Sequence, residues 1–259
     1  MAELLRVENL CKDQILNNVS FAIEKGEMVA VMGPSGSGKS TLLYNVAGMD
    51  QPSGGSVFLN GEEITKLSED EKAFFRLHKM GFVFQQMNMM GNLNILDNIL
   101  LPAVQANKAG KEIGKRNRKG NRRSETELLK DAENLMKKLS VSELAGRSIT
   151  QVSGGQLQRA CICRSMINSP KMIFADEPTG ALNRTTSDEV MDELAKLNAD
   201  GTTIMLVTHD VKVAAKCSRV MFLVDGNISG EYNLEKWNAD SQLRDRERTL
   251  SNWLMEMGW

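Results

Sequence analysis

The stretch GPSGSGKST, residues 33–41, decides how the rest of this chain folds. It follows an apolar run, EMVAVM, that predicts a strand, and it leads into LLYNVAG, which predicts a helix. Its glycines, lysine and serine fit the pattern G-x-x-x-x-G-K-[ST] in the strand–loop–helix context that the pattern requires. Glycines let backbone N–H groups turn inward around phosphate oxygens, and the positive end of the helix dipole favours the same negative charge. The sequence therefore predicts a phosphate-binding loop.

Two side chains of the loop have separate chemical tasks. We expect the Lys39 ammonium to reach the β- and γ-phosphates of a nucleotide, and the Ser40 hydroxyl to bind Mg²⁺. The backbone around them would surround the phosphates. The residues predicted to bind the nucleotide are Gly33, Pro34, Ser35, Gly36, Ser37, Gly38, Lys39, Ser40 and Thr41.

Short apolar runs recur along the chain and predict the strands of a sheet. They are nearly continuous rather than alternating, which indicates a sheet buried on both faces. Helical patterns at 125–139, 155–168 and 184–199 alternate with them, so we predict an α/β core with mostly parallel strands. Strand patterns in the first sixty residues predict an antiparallel sheet beside this core. The core runs are 28–32, 81–84, 172–175, 203–207 and 220–224.

Polar side chains stand where three of these strands end. Asp176 and Glu177 follow one strand, and His209 and Gln85 follow two others. Ligands bind at the C-terminal ends of strands in such sheets. We expect Asp176 to join Ser40 in the Mg²⁺ shell, and Glu177 to polarise a water for in-line attack on the γ-phosphate. His209 could contact the γ-phosphate, and Gln85 could reach Mg²⁺ or the attacking water.

A second anion-binding pattern lies far downstream, in QVSGGQLQRA at 151–160. Ser153, Gly154 and Gly155 stand just ahead of a predicted helix, where free N–H groups and the helix dipole favour an anion. The chain therefore carries two phosphate sites in one sequence.

In this order, the segments resemble the nucleotide-binding subunit of the ATP-binding cassette (ABC) transporter family, over roughly residues 4–232. GPSGSGKST resembles its Walker A motif, VSGGQLQR its signature, and MIFADE its Walker B motif with the catalytic glutamate. Gln85 resembles its Q-loop glutamine and His209 its switch histidine. The signature is specific, because other P-loop classes lack it.

The resemblance implies an ATPase that uses ATP and Mg²⁺ and works as a head-to-tail homodimer. The residues Ser153, Gly154, Gly155 and Gln156 would then contact the γ-phosphate held by the partner's loop, which accounts for the second anion site. It further implies a transmembrane permease as partner, no nucleic acid, and a peripheral place at the cytoplasmic face of the membrane.

The segment 82–102 is similar to the branch of macrolide exporters, lipoprotein-release machines and bacitracin-resistance transporters. This similarity favours export of antimicrobial peptides or lipoproteins. Two alternatives share the motifs: an ATPase that drives a membrane partner without moving substrate, and a soluble cassette that acts on DNA or ribosomes. The latter class generally needs a long coiled coil or tandem cassettes, and the sequence predicts neither.

We expect an ATPase domain at 1–232, with a helical subdomain at about 86–168, and a helical tail at 233–259. The segment 107–124 holds eight Lys and Arg against one Glu, and predicts either a solvated insertion or a contact with anionic lipid. An apolar helical stripe in the tail predicts packing on its own domain or on a dimer partner; it comprises Leu243, Leu250, Leu254 and Met257, with Trp253 beside it.

Three features of the sequence depart from the family pattern. Residues 1–20 contain no aromatic side chain to stack on adenine, so acceptance of GTP stays open. Val152 replaces the usual leucine at the start of the signature, and Asn183 replaces an aspartate after Walker B. Asparagine keeps hydrogen-bonding capacity but lacks the charge.

Composition limits the remaining classes of function. With 41% hydrophobic and 25% charged residues the chain can build a globular core, and its net charge of −1 gives no general attraction to polyanions. The start MAELLRVENL lacks the organisation of a signal peptide, and apolar runs of about five residues fall short of the roughly 20 that span a bilayer. The four cysteines have no zinc-ligand spacing.

Overall fold

The computed structural model describes residues 2–113, 123–238 and 242–259. Residues 114–122, half of the basic segment predicted at 107–124, lie outside the described residues. The strands are β1 (Glu3–Lys12), β2 (Leu16–Glu24), β3 (Met28–Met32), β4 (Gly54–Leu59), β5 (Glu62–Glu63), β6 (Met80–Phe84), β7 (Met172–Asp176), β8 (Thr203–Val207), β9 (Arg219–Val224) and β10 (Asn227–Asn233). The helices are α1 (Lys39–Val46), α2 (Glu69–Lys79), α3 (Ile95–Ile113), α4 (Glu125–Lys138), α5 (Gly154–Met166), α6 (Arg184–Ala199), α7 (Val211–Ala214) and α8 (Leu243–Glu256).

A six-stranded sheet forms the centre of the molecule, in the order β10-β9-β3-β8-β7-β6. All neighbouring strands are parallel except β10, which returns antiparallel to β9. Every residue of β3 is buried, and its side chains alternate between two cores. Ala30 packs with the helices α3 to α6, whereas Val29 and Val31 pack with α1 and the second sheet. The prediction of a mostly parallel sheet buried on both faces is confirmed.

The strand patterns predicted in the first sixty residues beside the core form the second sheet, as β1, β2 and β4, with the short β5 added. It is antiparallel, in the order β2-β1-β4-β5, and its inner face shares a core with α1. Arg219 at the start of β9 joins the two sheets: its guanidinium donates to the Ala22 carbonyl of β2 and to the Glu27 carboxylate just before β3.

Helices α3, α4 and α5 come between β6 and β7 in the sequence, and they pack against one another. Helix α5 begins at Gly154, one residue before the predicted start, because the Ser153 hydroxyl accepts a hydrogen bond from the Gln156 N–H and caps the helix. Ser124 caps α4 with the same arrangement, in which the Glu127 carboxylate accepts from the Ser124 N–H.

Helix α8 folds back onto the domain that precedes it. Leu250 and Leu254 are fully buried against the core that contains Phe222 of β9. The Arg246 guanidinium donates to the carbonyls of Ala215 and Cys217, after α7. No helix among residues 2–113, 123–238 and 242–259 is both long enough and apolar enough to cross a bilayer.

Candidate active site

The phosphate-binding loop runs from the end of β3 to the start of α1. Gly33 leaves β3 so close to β9 that a Cβ there would lie 2.0 Å from the Leu223 carbonyl oxygen. Gly38 has φ +98 at the N-cap of α1, a left-handed conformation that glycine adopts without strain. These two positions explain why the loop needs glycine and can present its N–H groups to an anion.

Lys39 lies inside the curve of the loop. Its ammonium donates to the carbonyls of Gly33 and Pro34, at 2.8 Å each. Burial lowers the pKa of Lys39, and the nearby carboxylates of Glu177 and Asp176 partly offset that effect. An approaching phosphate offers this cation a stronger acceptor than two neutral carbonyls.

Asp176 receives a hydrogen bond on each carboxylate oxygen. The Ser40 hydroxyl donates to Oδ1 at 3.0 Å, and the Tyr44 hydroxyl donates to Oδ2 at 2.6 Å. Burial, followed by the hydrogen bond to Asp176, raises the pKa of Tyr44 to about 12. Tyr44 did not figure in the sequence prediction; its position one helical turn after Ser40, on the same face of α1, is the signal that could have found it.

The oxygen ligands at this point fit Mg²⁺. The metal prefers hard oxygen donors and retains waters, so it needs few protein ligands. Ser40 and Asp176 are within hydrogen-bonding distance of each other, and Gln85 follows Phe84, which pairs in register with Asp176. Within the described ranges no group of three or more His, Cys, Asp and Glu could hold a metal ion.

Glu177 and His209 meet because β7 and β8 are neighbours. His209 Nδ1 lies 2.8 Å from Glu177 Oε1, and the Glu177 N–H donates to the carbonyl of Val207 at the end of β8. Glu177 has φ +47, a left-handed conformation that is rare for a residue other than glycine. The Glu177 side chain is 17% exposed, whereas His209 is 69% exposed.

Gln85 lies beside the turn that follows Glu177. A Cβ on Gly180 would lie 2.9 Å from Gln85 Nε2, so the amide packs directly on that turn. Gln158 of α5 connects the same two loops, since its amide nitrogen donates to the carbonyls of Phe84 and Pro178. Gln158 is 1% exposed and belongs to the VSGGQLQR signature pattern, which does not by itself predict these two contacts.

A cavity of about 440 Å³ opens in front of the loop. It is lined by Gly33, Pro34, Ser35, Lys39, Glu177, His209 and Trp259. None of the signature residues 153–156 is among the described residues that line it. Ser153 and Gly154 are exposed elsewhere on the surface, at the N-terminus of α5. The two phosphate sites of the sequence are therefore separate in one copy of the chain.

Asn183 has a structural task in the position where the family pattern has aspartate. It is the N-cap of α6, and its side chain accepts a hydrogen bond from the Thr186 N–H. Asparagine and aspartate are about equally good caps, so the exchange preserves the start of this helix.

Comparison with known proteins agrees with this geometry. The family pattern described as ABC transporter matches residues 16–180. This chain belongs to the ABC transporter family. It is an ATPase of that family, an ATP-binding cassette with an α/β core beside an antiparallel sheet.

The relatives of this ABC ATPase differ in how much of their length it spans. The macrolide export ATP-binding/permease protein MacB of Campylobacter jejuni is 41% identical over 237 residues, which are 90% of this chain and 35% of MacB. The lipoprotein-releasing system ATP-binding protein LolD of Aquifex aeolicus is 38% identical over 89% of this chain and 98% of LolD. The chain thus spans about a third of MacB and nearly all of LolD.

The solved structures of similar shape are also ABC cassettes. A dimeric ATP-binding cassette in a post-hydrolysis state, bound to ADP and Pi, superposes with a TM-score of 0.77 at 36% identity, and the match covers 90% of this chain and all of that one. A second dimeric structure, of a bacterial ABC transporter cassette, gives the same values.

Proposed function

We propose that this chain is the ATP-hydrolysing subunit of an exporter that works as a head-to-tail homodimer and drives a transmembrane permease. One observation carries the proposal: Lys39 and Glu177 line one cavity, with Asp176 next to Glu177 and bonded to Ser40, while the signature at Ser153 faces elsewhere. A single chain therefore holds two incomplete halves of an ATP site. The dimers among the similar cassettes support joining these halves across an interface.

The residues around the cavity have complementary tasks in hydrolysis. Ser40 and Asp176, with Gln85 close by, would hold Mg²⁺, which would neutralise charge on the phosphates of the nucleotide. Lys39 turns from the loop carbonyls to the phosphates. Glu177 accepts a proton from the attacking water, and His209 holds the Glu177 carboxylate in place through the 2.8 Å contact.

The signature of the partner completes the site. Ser153, Gly154, Gly155 and Gln156 would present the N-terminus of α5 to the γ-phosphate on the other copy's loop. The dimer is then favoured by contacts that ATP makes and ADP lacks, because ADP has no γ-phosphate to bridge the two chains.

The segment after Gln85 is the proposed contact with the permease. Met90 is 49% exposed, and the Arg164 guanidinium holds the segment by donating to the carbonyls of Met87 and Asn88. Flexible methionines suit an adaptable protein contact. The relatives MacB and LolD are named for macrolide export and lipoprotein release, which supports export as the direction and lipoprotein as one type of cargo.

This assignment includes a peripheral position at the cytoplasmic face, an ATPase domain at 1–232 with a tail at 233–259, and no nucleic-acid partner. The contact of 107–124 with anionic lipid remains a proposal, and half of this segment, residues 114–122, lies outside the described residues.

Mixing two defective chains tests the shared site. Lys39→Ala removes the phosphate cation, whereas Gly154→Asp places a negative charge where the partner's γ-phosphate should bind. Aspartate in the first turn of α5 is favourable for the helix, so this variant keeps its fold. Each variant alone should hydrolyse ATP at a small fraction of the wild-type rate.

An equal mixture should recover about a quarter of the wild-type turnover, because half of the dimers are mixed and each of these has one intact site. A mixture that is no more active than its components, although both chains dimerise, would contradict the head-to-tail arrangement. A chain with both substitutions, mixed with wild-type, is the matched control.

A further inference from the structure

The cavity in front of the phosphate-binding loop has one lining residue that the proposed mechanism does not use. Trp259 shares the cavity with Pro34, Ser35, Glu177 and His209, and its side chain is 42% exposed. A large aromatic side chain left partly open beside a phosphate site requires an explanation, since most of the indole surface gains from burial.

The helix that precedes Trp259, α8, is packed into the core and so fixes where Trp259 lies. Leu250 and Leu254 of α8 are fully buried, and Trp253 packs between Phe222 and Tyr232, with ring centroids 6.2 and 5.4 Å away. Helix α8, which ends three residues before Trp259, is therefore part of the core.

The end of α8 then turns the chain toward the cavity. Gly258 has φ +88 and donates its N–H to the carbonyl of Met255, while the Trp259 N–H donates to the carbonyl of Leu254. This pair of bonds is the Schellman motif, which glycine in the left-handed conformation makes possible. The indole packs on Phe222 of β9, with centroids 5.8 Å apart.

Trp259 lies at the γ-phosphate end of the site, away from the end expected to hold the base. The far end of the loop, at Gly38, adjoins Ile15 in the turn between β1 and β2 and Leu16 at the start of β2. Trp259 instead shares its cavity with Glu177 and His209, the groups that face the attacking water. Its indole is thus unsuited to replace the aromatic missing from residues 1–20.

We propose that Trp259 is an autoinhibitory contact that occupies the space which the partner's Ser153–Gly155 must enter when the dimer closes. The inference rests on the proposed head-to-tail dimer. In the single chain, the indole covers the outer side of the γ-phosphate site. Closure requires the indole to leave Phe222, and the left-handed turn at Gly258 is the point about which Trp259 can turn away from α8.

ATP-dependent dimerisation of Glu177→Gln tests the contact, because this substitution removes the proposed base and preserves bound ATP. Sedimentation velocity gives the ATP concentration at which half of the chain is dimeric. Adding Trp259→Ala should lower this concentration by about tenfold, the size expected from losing an aromatic pair. Trp259→Phe, which retains a ring against Phe222, should stay near the parent value.

Met255→Ala is the matched control, since Met255 lies near the end of the same helix and is 70% exposed. An unchanged or raised midpoint for Trp259→Ala, with a parent that dimerises, overturns the inference and leaves the proposed function intact. A parent that binds ATP but stays monomeric overturns the head-to-tail dimer, and the inference falls with it.

Discussion

At the scale of single residues, the active site depends on how Asp176 is held. Ser40 and Tyr44 each donate to one of its oxygens, so the carboxylate is oriented before any metal arrives. Tyr44 is a positioning residue in this arrangement, because it acts through Asp176. Hydrogen bonds to a charged acceptor contribute more than bonds between neutral groups.

Tyr44→Phe should therefore lower the free energy of unfolding by about 1.5–3 kcal/mol at neutral pH. The pKa of Tyr44 rises from 10.0 to about 12 on folding, so the folded state favours the neutral phenol. Its contribution is fully present below pH 10 and is lost as the pH rises toward 12. Urea unfolding of both chains from pH 7 upward should show a constant difference that shrinks above pH 10.

A difference between the two chains that persists unchanged to pH 12 would contradict the hydrogen bond. Tyr232→Phe is the control, since Tyr232 packs on Trp253.

At the scale of secondary structure, the capped N-termini of α4 and α5 allow the effect of a cap on stability to be measured apart from its effect on ATP turnover. Ser124 and Ser153 cap their helices in the same way, but only Ser153 belongs to the signature. Each Ser→Ala change should cost about 0.5–2 kcal/mol of stability, measured by urea unfolding.

ATP turnover should then distinguish the two variants. Ser124→Ala should keep the wild-type rate, whereas Ser153→Ala should lose about tenfold or more, because a donor to the partner's γ-phosphate is gone. Equal turnover in both variants at saturating ATP would show that Ser153 acts only as a cap.

At the scale of the whole molecule, the tail belongs to the same core as the central sheet. Leu254 is fully buried, and the adjacent Met255 is 70% exposed. Leu254→Ala should destabilise the protein by about 2–5 kcal/mol, since it leaves a cavity against β9. Met255→Ala, the control, should change stability by no more than about 0.5 kcal/mol.

Urea unfolding of the wild-type chain and both variants measures this, from the midpoint of each transition and the dependence of the free energy of unfolding on urea concentration. If Leu254→Ala matched Met255→Ala, α8 would be an independent appendage and the position of Trp259 would have no fixed support. A single cooperative transition in the wild-type chain is expected, because α8 and β9 share one hydrophobic cluster.

The sequence by itself determined the parts that rest on local pattern. Continuous apolar runs predicted the core strands. The spacing of Gly, Lys and Ser in residues 33–41, with a predicted strand before it and a helix after it, predicted the phosphate-binding loop. Asp176, Glu177 and His209 could be placed together because the ends of parallel strands meet at one edge. Such features depend on residues close in sequence, where periodicity and motif carry the information.

Only the tertiary structure decided which side chains meet across long separations. The contacts of Tyr44 with Asp176, of Gln158 with two loops and of Trp259 with the cavity at the phosphate-binding loop have no local signature, because the partners lie on other elements. The tail shows the difference well: its apolar stripe predicted that Leu250 and Leu254 would be buried. The stripe did not predict that the chain would turn after α8 and place the Trp259 indole in the cavity beside the phosphate-binding loop. That position depends on where Phe222 of β9 lies.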